Sequence, residues 1–309
     1  MKIIVTGSLG NISQPLTKIL IAKGHAVTVV SSDPKKKTAI ENFGATPSIG
    51  SISDVKFLTN TFEGADAVYA MIPLSFSAPD LSEYLHRMAQ NYVEALQEAG
   101  TKRIVLMSGW AADLVQGENA EDVFDTLTNA SITIMRPASF YTNFYQSIDL
   151  IKGKGFIGKF LTLRYSGLWA LLSGKTGLLM GNYGGEDRIV FVSPKDIADA
   201  VAEELLLLPK EKTICYLGSE EMTCNEAAKI IGSAVGKPWL KWVLLSDKAM
   251  LQGLKMAKVP EKLAETLVEM QAVMHSGKTL ENFHRSQPKM GKVKLADFAK
   301  EFAAAYHKK

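Results

Sequence analysis

The chain has 309 residues, with 35 lysines and arginines against 32 aspartates and glutamates, which gives a formal net charge of +3. Hydrophobic residues make up 47% of it and charged residues 22%, as in an ordinary globular protein. These proportions exclude a disordered, a collagen-like or a disulfide-framework protein, and the length is that of one large domain or two of ordinary size.

The first half of the chain alternates short apolar strands with helical patterns. Apolar runs are found at residues 3–6, 26–30, 45–49, 67–70, 103–107 and 132–135, and a long helical pattern covers residues 81–99. This alternation predicts an α/β fold with a doubly wound parallel sheet, the Rossmann arrangement, over residues 1–150. Ligands of such sheets bind at the carboxyl ends of the strands, where the strand order reverses.

The glycine-rich turn after the first strand is the first candidate site. Gly7 permits a sharp turn, and Gly10 lets backbone N–H groups approach a pyrophosphate at the positive end of the following helix. Ser13 stands where many such loops have a third glycine. A simple tight turn is the alternative interpretation. The loop residues predicted to contact a dinucleotide are Gly7, Ser8, Leu9, Gly10, Asn11 and Ile12.

The residues at the end of the second strand indicate whether the cofactor is NADP or NAD. Ser31 and Ser32 are followed by Asp33-Pro34, a helix start in which Asp33 is predicted to be the N-cap. Three lysines, Lys35, Lys36 and Lys37, then stand in the first helical turn, where the helix dipole disfavours cations. A nearby anion such as the extra phosphate of NADP would explain them. NAD and a merely solvated lysine cluster remain as alternatives.

Beyond residue 150 the alternation loosens. Residues 151–309 are predicted to form a smaller, mostly helical substrate domain that shapes the cleft, and the segment 189–217 is predicted to return partly to the sheet. Helices are predicted over residues 140–151 and 161–172, and a strand over residues 239–245. The apolar helix at 161–172 has two interpretations, a lid over the pocket or a contact between the subunits of a homodimer.

Other partners and sites are not indicated. The most apolar stretch, residues 156–180, is interrupted by Lys159, Arg164 and Lys175, so a buried or lid helix is favoured over a membrane span. The amino terminus lacks the apolar run of a signal peptide. Cys215 and Cys224 have no zinc-ligand spacing. We therefore expect a cytoplasmic protein without a metal, a disulfide or a membrane partner.

The charge is divided unevenly along the chain. Residues 1–150 carry 11 basic and 15 acidic side chains, a net charge of −4, whereas residues 151–309 carry 24 and 17, a net charge of +7. A nucleic-acid site would add interleaved aromatic residues or a recognisable reading motif. Neither is found, so the basic excess predicts a solvated surface, and the expected partner is a small molecule.

The chain resembles the NmrA-like family of atypical short-chain dehydrogenases, which includes NADPH-dependent quinone reductases and redox-sensing regulators. The more specific motifs are the Arg-Pro and Asn of residues 136–143 and the Asp-Ile-Ala of residues 196–198, and the resemblance extends over essentially the whole chain. The family often has an arginine where Ser32 stands here. The NADP preference therefore depends on the serines and lysines alone.

The resemblance implies a site at the ends of the fourth, fifth and sixth strands. It assigns Met71, Ile72 and Pro73 to the nicotinamide side of the cofactor and Ser108 to the cofactor site. The substrate pocket would be lined by Trp110, Ser139, Phe140, Asn143 and Phe144. Alternatively, Pro73 only ends a strand, Trp110 is only a core residue, and Asn143 only caps a helix.

The usual proton donor of short-chain dehydrogenases is missing. None of the nine tyrosines has a lysine four residues later, and residues 109–131 contain no Tyr, Lys, His or Arg. Reactions on poorly acidic oxygens depend on such a donor, whereas quinone reduction leaves a phenolate-like oxyanion that water or Tyr141 could protonate. The preferred reaction is thus reduction of a quinone stacked among the aromatic residues. The alternative is a non-catalytic NADP(H) sensor that acts through a protein partner.

Overall fold

A computed structural model describes residues 1–75, 78, 80–115, 119–207, 211–288 and 290–308. The chain folds into two compact units. Unit 1 consists of Met1–Pro137 and Pro194–Leu217, and unit 2 of Ala138–Ser193 and Gly218–Lys309. The sequence analysis divides the chain at residue 150 by function, into a cofactor domain and a cleft-forming region. That functional division stays a prediction.

The strands are numbered in chain order across both units. They are β1 (Lys2–Val5), β2 (Ala26–Ser31), β3 (Thr46–Ile49), β4 (Ala67–Met71), β5 (Arg103–Met107), β6 (Ser131–Pro137), β7 (Ser139–Phe140), β8 (Leu179–Gly181), β9 (Arg188–Val192), β10 (Thr213–Leu217), β11 (Glu220–Thr223) and β12 (Trp242–Leu244).

The helices are numbered in the same way. They are α1 (Ser13–Ala22), α2 (Lys37–Asn42), α3 (Val55–Phe62), α4 (Leu81–Glu98), α5 (Ala120–Phe124), α6 (Ile148–Lys152), α7 (Gly155–Leu172), α8 (Pro194–Leu206), α9 (Cys224–Ala234), α10 (Asp247–Met256), α11 (Glu261–His275), α12 (Lys278–Arg285) and α13 (Leu295–Lys308).

Unit 1 is built on one parallel sheet of seven strands in the order β10-β6-β5-β4-β1-β2-β3. The chain runs outward from β1 to β2 and β3 and then crosses to β4 on the other side of β1. The strand order therefore reverses between β1 and β4, as in a doubly wound fold. This confirms the predicted α/β class and parallel sheet.

Apolar strands and amphipathic helices form the core of unit 1. All of β6 and the first four residues of β4 and β5 are buried, which is typical of a parallel sheet covered on both faces. One core cluster joins β4, β5 and β6 to α3, α4 and α5, with Tyr92 stacked on Phe62 at a ring distance of 6.1 Å. The helices α1 and α8 pack together and bury Leu16, Leu20 and Val201.

Unit 2 is mostly helical, as the sequence predicts. It holds a three-stranded sheet in the order β11-β9-β7, the pair β12-β8, and the helices α6, α7 and α9 to α13. The segment 189–217 was predicted to return partly to the large sheet. Its strand β10 belongs to that sheet, and α8 also belongs to unit 1. Its strand β9 lies in the small sheet of unit 2.

Three predicted elements differ from the structure. The helix predicted over residues 140–151 is instead the short strand β7, a 3-10 helix at Tyr141–Ser147, and α6. The helix predicted over 161–172 begins earlier, at Gly155, and contains a break at Gly167, where φ is 85°. The strand predicted over 239–245 contains only Trp242–Leu244. No helix in the described part of the chain is long and apolar enough to cross a membrane.

Candidate functional site

The loop between β1 and α1 has the backbone of a phosphate-binding turn. Gly7 has φ +88° and Ser8 has φ +56°, and the Gly10 N–H donates to the Gly7 carbonyl at 3.2 Å. A Cβ atom on Gly7 would lie 2.4 Å from Cε of Met71 and 2.7 Å from Oγ of Ser13. Because the left-handed φ strains any other residue and a Cβ atom would displace both neighbouring side chains, the loop favours glycine at this position.

The amino terminus of α1 is open to an anion. Among the described residues no side chain caps α1, as is also the case for α2, α6, α7, α11 and α12. The first turn of α1 also has no acidic residue. Unpaired N–H groups and the helix dipole both favour a negative ligand there. The residues of the loop that lie closest to solvent are Gly10 and Asn11, which are exposed.

Ser13 fills the place of the third glycine. Its side chain is buried, and its hydroxyl donates to the Thr6 carbonyl at 2.7 Å, which ties the first residue of α1 to the segment just after β1. The serine thus provides the close contact of helix and strand that a glycine provides in other loops, because its polar atom has a partner on the strand side.

The end of β2 presents cations to solvent. Ser32, Lys35, Lys36 and Lys37 are exposed, and no ion pair neutralises the three lysines within the part of the chain described. The Asp33 carboxylate accepts the Lys35 N–H at 2.9 Å, as the predicted N-cap. One carboxylate oxygen is thereby engaged at the place where an NAD-specific site needs a free carboxylate for the ribose hydroxyls.

Ser31 holds the two loops together. It is buried, its Oγ accepts the Ser8 hydroxyl at 2.9 Å, and it also accepts the Asp33 N–H at 3.2 Å. The structure thus gives Ser31 a positioning role between the loop after β1 and the turn after β2. Its predicted direct contact with the cofactor stays a prediction.

The carboxyl end of β4 is fixed next to Gly7. The Met71 N–H donates to the Thr6 hydroxyl at 2.8 Å, and the Tyr92 hydroxyl donates to the Met71 carbonyl at 3.1 Å. Met71 and Ile72 are half-buried and Pro73 is exposed. Of the three residues predicted to border the nicotinamide, Met71 is thus the last residue of β4 and contacts the phosphate loop, and Ile72 and Pro73 follow the strand.

A buried charged cluster lies at the ends of β5, β6 and β10. The Arg136 guanidinium makes two hydrogen bonds to Glu121, with Nε 2.9 Å from Oε1 and Nη2 2.6 Å from Oε2. Its Nη1 donates to the Tyr216 hydroxyl at 2.8 Å and lies 2.9 Å from the Asp113 carboxylate. The Ser108 hydroxyl donates to Glu121. Ser108, predicted as a cofactor residue, is therefore held by a network that joins three strands.

Two members of this cluster, Arg136 and Tyr216, have a pKa above the ordinary value of their side chain. Burial lowers the pKa of Arg136, but its contacts with Glu121 outweigh burial and raise the pKa above its ordinary value. Burial raises the pKa of Tyr216 despite the nearby guanidinium. The tyrosine therefore remains protonated at neutral pH, and its hydroxyl donates to Asp113 at 3.3 Å.

The sequence interpretation missed Glu121, Asp113 and Tyr216. Arg136 was noted only as part of a family motif. The sequence signal for these partners is an arginine, Arg136, in an otherwise apolar strand. A charge that is buried in a strand needs a carboxylate partner.

Trp110 is only 7% exposed, as a core residue would be. Of the predicted substrate residues in unit 2, Ser139 and Phe140 are half-buried and Asn143 is exposed. Phe144 is buried and stacks on Phe191 at 5.8 Å. Their predicted contacts with a substrate stay predictions.

Tyr141 has a structural role. Its ring is fully buried and packs on Phe298 at 5.6 Å, and its hydroxyl donates to the Val293 carbonyl at 3.0 Å. A proton donor must direct its hydroxyl at the reacting oxygen. The Tyr141 hydroxyl donates to a backbone carbonyl in this structure, and its predicted role as a proton donor stays a prediction.

Comparisons with known proteins agree with this arrangement. The sequence profile of a family described as NAD(P)H-binding matches residues 7–206. The crystal structure of the NADPH-dependent quinone oxidoreductase QOR2 of Escherichia coli in complex with NADPH superposes with a TM-score of 0.72 at 19% identity, covering 97% of this chain and 99% of that one. Triphenylmethane reductase of Citrobacter sp. superposes with a TM-score of 0.70 at 20% identity, covering 99% and 100%.

A curated relative matches a shorter region. The photosystem II assembly factor Ycf39 of Synechocystis sp. is 26% identical over 147 residues, which is 45% of this chain and 45% of that protein. The match thus spans less than half of the relative. The structural likenesses, all at low identity, establish the fold.

Proposed function

The chain belongs to the NAD(P)H-binding family of NmrA-like, atypical short-chain dehydrogenases, and from this premise we propose that it is an NADPH-dependent reductase of a quinone or a similar electrophilic small molecule. The observation that carries the acceptor class is the absence of a Tyr-Lys pair from the sequence. The geometry of Tyr141 adds to it, because the one tyrosine that the sequence offered as a donor is occupied elsewhere.

The residues of unit 1 fit a dinucleotide. The loop Gly7 to Ile12 and the uncapped start of α1 would hold the pyrophosphate, and Ser32 with Lys35, Lys36 and Lys37 would hold the phosphate on the adenosine ribose. Met71, Ile72 and Pro73 would border the nicotinamide. When bound, the cofactor supplies a hydride.

Protonation of the reduced quinone does not require a side-chain acid. A quinone that has accepted a hydride is a phenolate-like anion, whose oxygen has a proton affinity close to that of tyrosine, with a pKa of about 10. Water can protonate it, so the protein contributes mainly by holding the acceptor in place. A ketone would instead become an alkoxide, which needs a positioned acid worth about 10² to 10⁴ in rate.

The test is NADPH oxidation by the purified protein with benzoquinones and naphthoquinones, and with aliphatic ketones for comparison. We expect turnover of quinones and at least about a hundredfold slower turnover of ketones. NADPH binding without turnover of any quinone would refute the reductase proposal. Ketone reduction at a similar rate would show that a proton donor exists and would refute the proposed acceptor class.

A sensor is the second candidate, because the curated relative is described as an assembly factor and not as a reductase. Such a protein would bind NADPH and change its affinity for a partner, which requires two states with different affinity for the cofactor. Limited proteolysis with and without NADPH distinguishes the two functions when combined with the quinone assay. A sensor gives a changed cleavage pattern without turnover.

A further inference from the structure

Helix α7 carries its apolar side chains on the outside of unit 2. Thr162 is its one buried residue, whereas Phe156 is 86% exposed and Trp169 82% exposed. The other large apolar side chains exposed along the helix are Ile157, Phe160, Leu163, Leu168 and Leu172. Soluble proteins rarely expose so many large apolar side chains together, and such patches mark surfaces that bind something.

The packing of the helix fixes this outward orientation. The Thr162 hydroxyl donates to the Gly158 carbonyl at 2.8 Å and accepts the Gly177 N–H at 3.4 Å. A Cβ atom on Gly158 would lie 2.4 Å from the Gly153 carbonyl carbon. The inner side of α7 therefore approaches the neighbouring backbone through small residues, and there is no room to turn the large side chains inward.

A lysine from another segment contacts α7 just before its break. The backbone at Gly167 is non-helical, and the Lys241 ammonium donates to the carbonyl of Tyr165, two residues earlier, at 2.6 Å. Trp239, from the same segment as Lys241, is 37% exposed and donates its indole N–H to the Thr176 carbonyl at 3.3 Å. A second tryptophan and a second basic segment thus adjoin α7.

The charged residues in the segment that contains α7 are all basic. Residues 150–185 contain five basic side chains and no acidic one. Lys154, Lys159, Arg164 and Lys175 are exposed among the apolar residues. We name the exposed apolar residues of α7 together with these four cations the α7 surface.

Charge disfavours the contact of one α7 surface with the α7 surface of a second copy. In a twofold dimer centred on this helix, the cations of one copy would face those of the other without a carboxylate from residues 150–185 to neutralise them. An anionic lipid bilayer fits both properties. It takes up Phe, Leu and Trp side chains at the boundary of its acyl chains, and its phosphates attract the interleaved Lys and Arg side chains.

We propose that the α7 surface docks the protein on anionic lipid bilayers, with the helix lying in the interface. The inference does not rest on the proposed reductase activity, since binding is measured without NADPH or quinone. The proposal departs from the sequence-based expectation of no membrane partner, which was argued from the lack of a membrane span. An interfacial helix needs no span, because it inserts only one face to the level of the headgroups.

The experiment is cosedimentation of the full chain with vesicles of phosphatidylcholine alone or of phosphatidylcholine with phosphatidylglycerol. We expect binding to the anionic vesicles, weak binding to the neutral ones, and release at high salt because the lipid charge is screened. Equal binding to both vesicle types, or none to either, would overturn the proposal.

Two variants with matched controls assign the binding to α7. Phe156→Ser with Trp169→Ser, and separately Lys159→Glu with Arg164→Glu, should each lower the vesicle partition coefficient by about tenfold or more. The controls are Met256→Ser with Met270→Ser, and Lys229→Glu with Lys248→Glu, which change exposed side chains on other helices. All are surface changes, and circular dichroism verifies their folding. Equal losses in variants and controls would refute the assignment to α7.

Sedimentation velocity distinguishes the competing occupant. We expect the same mass for the wild-type protein and the variant with Phe156→Ser and Trp169→Ser. A wild-type dimer that this variant dissociates, together with no vesicle binding, would show that the surface is a subunit interface and would overturn the lipid proposal.

Discussion

Gly7 combines a left-handed backbone with two close side-chain neighbours, Met71 and Ser13. Gly7→Ala should therefore shift the loop and weaken NADPH binding by about tenfold or more, because the N–H groups proposed to hold the pyrophosphate would lose their alignment. Fluorescence titration measures the affinity. Gly100→Ala is the control, since Gly100 also has a positive φ (+67°) but has nothing within 4 Å of its Cβ position. Equal losses in both variants would indicate general destabilisation and not a role of the loop.

The three lysines after β2 test the cofactor preference. Replacing Lys35, Lys36 and Lys37 by alanine should weaken NADPH binding by about tenfold to a hundredfold and leave NADH binding nearly unchanged, because only NADPH carries the extra phosphate. Titrations with both cofactors measure the ratio. Equal weakening for NADPH and NADH would show that the lysines act through general charge and do not recognise the phosphate.

Single residues also show where the sequence is an incomplete guide. The spacing of Gly7 and Gly10 after a strand was sufficient to predict a tight turn between β1 and α1, because backbone conformation there depends on local sequence. Tyr141 and Ser31 could not be judged in the same way. Their hydroxyls have partners, at Val293 and Ser8, that are distant in sequence and that only the folded chain brings near.

Among the elements, α5 is tied to β6 by the buried pair of Glu121 and Arg136. Glu121→Ala should lower the free energy of unfolding by about 3–5 kcal/mol, because it leaves a buried guanidinium without its main partner. Asp125, just after the same helix, forms an ion pair with Lys212, and the two side chains are 44% and 40% exposed. Asp125→Ala should therefore lower the free energy of unfolding by less than about 1 kcal/mol. Urea denaturation of both variants provides the comparison. Similar losses would show that burial does not control the strength of the Glu121 pair.

Elements with strong periodicity were predicted well, and those stabilised by tertiary contacts were not. The strands of the large sheet and the long helix α4 have apolar patterns that the sequence displays directly. The segment after β6 has helical spacing but folds as β7 and a 3-10 helix, because Ser139 and Phe140 pair with Phe191 and Val192 of β9. Pairing with a strand about 50 residues away overrides the local preference.

At the scale of the whole molecule, cofactor binding should stabilise the fold. A ligand that binds only the folded state adds about 2.7 kcal/mol at a concentration one hundred times its Kd. NADPH should therefore raise the Tm by several degrees, and NADH should raise it less at the same concentration. Differential scanning fluorimetry with a titration of each cofactor measures this. An unchanged Tm with saturating NADPH would contradict the assignment of the loop as a cofactor site.

The alternation of strands and helices was enough to predict the class of fold, whereas the position of the strand reversal, between β1 and β4, comes from the structure. It could not predict that residues 138–193 form part of another compact unit, because contacts and not periodicity define such a unit. The excess of basic residues in the second half of the chain likewise indicated a possible binding surface only once the exposure of the α7 side chains was known. The same lysines and arginine that appeared to interrupt an apolar stretch surround the exposed side chains of α7.

The path of the chain through unit 1 has a consequence for its biosynthesis. Strand β6, buried along its whole length, pairs on its outer side with β10, which also supplies Tyr216 to Arg136. On the ribosome, residues 138–212 must be translated before β10 emerges, which takes on the order of ten seconds. During that interval the nascent chain presents an apolar strand edge and a guanidinium without its tyrosine partner, and this edge is where a chaperone would bind or where nascent chains would aggregate.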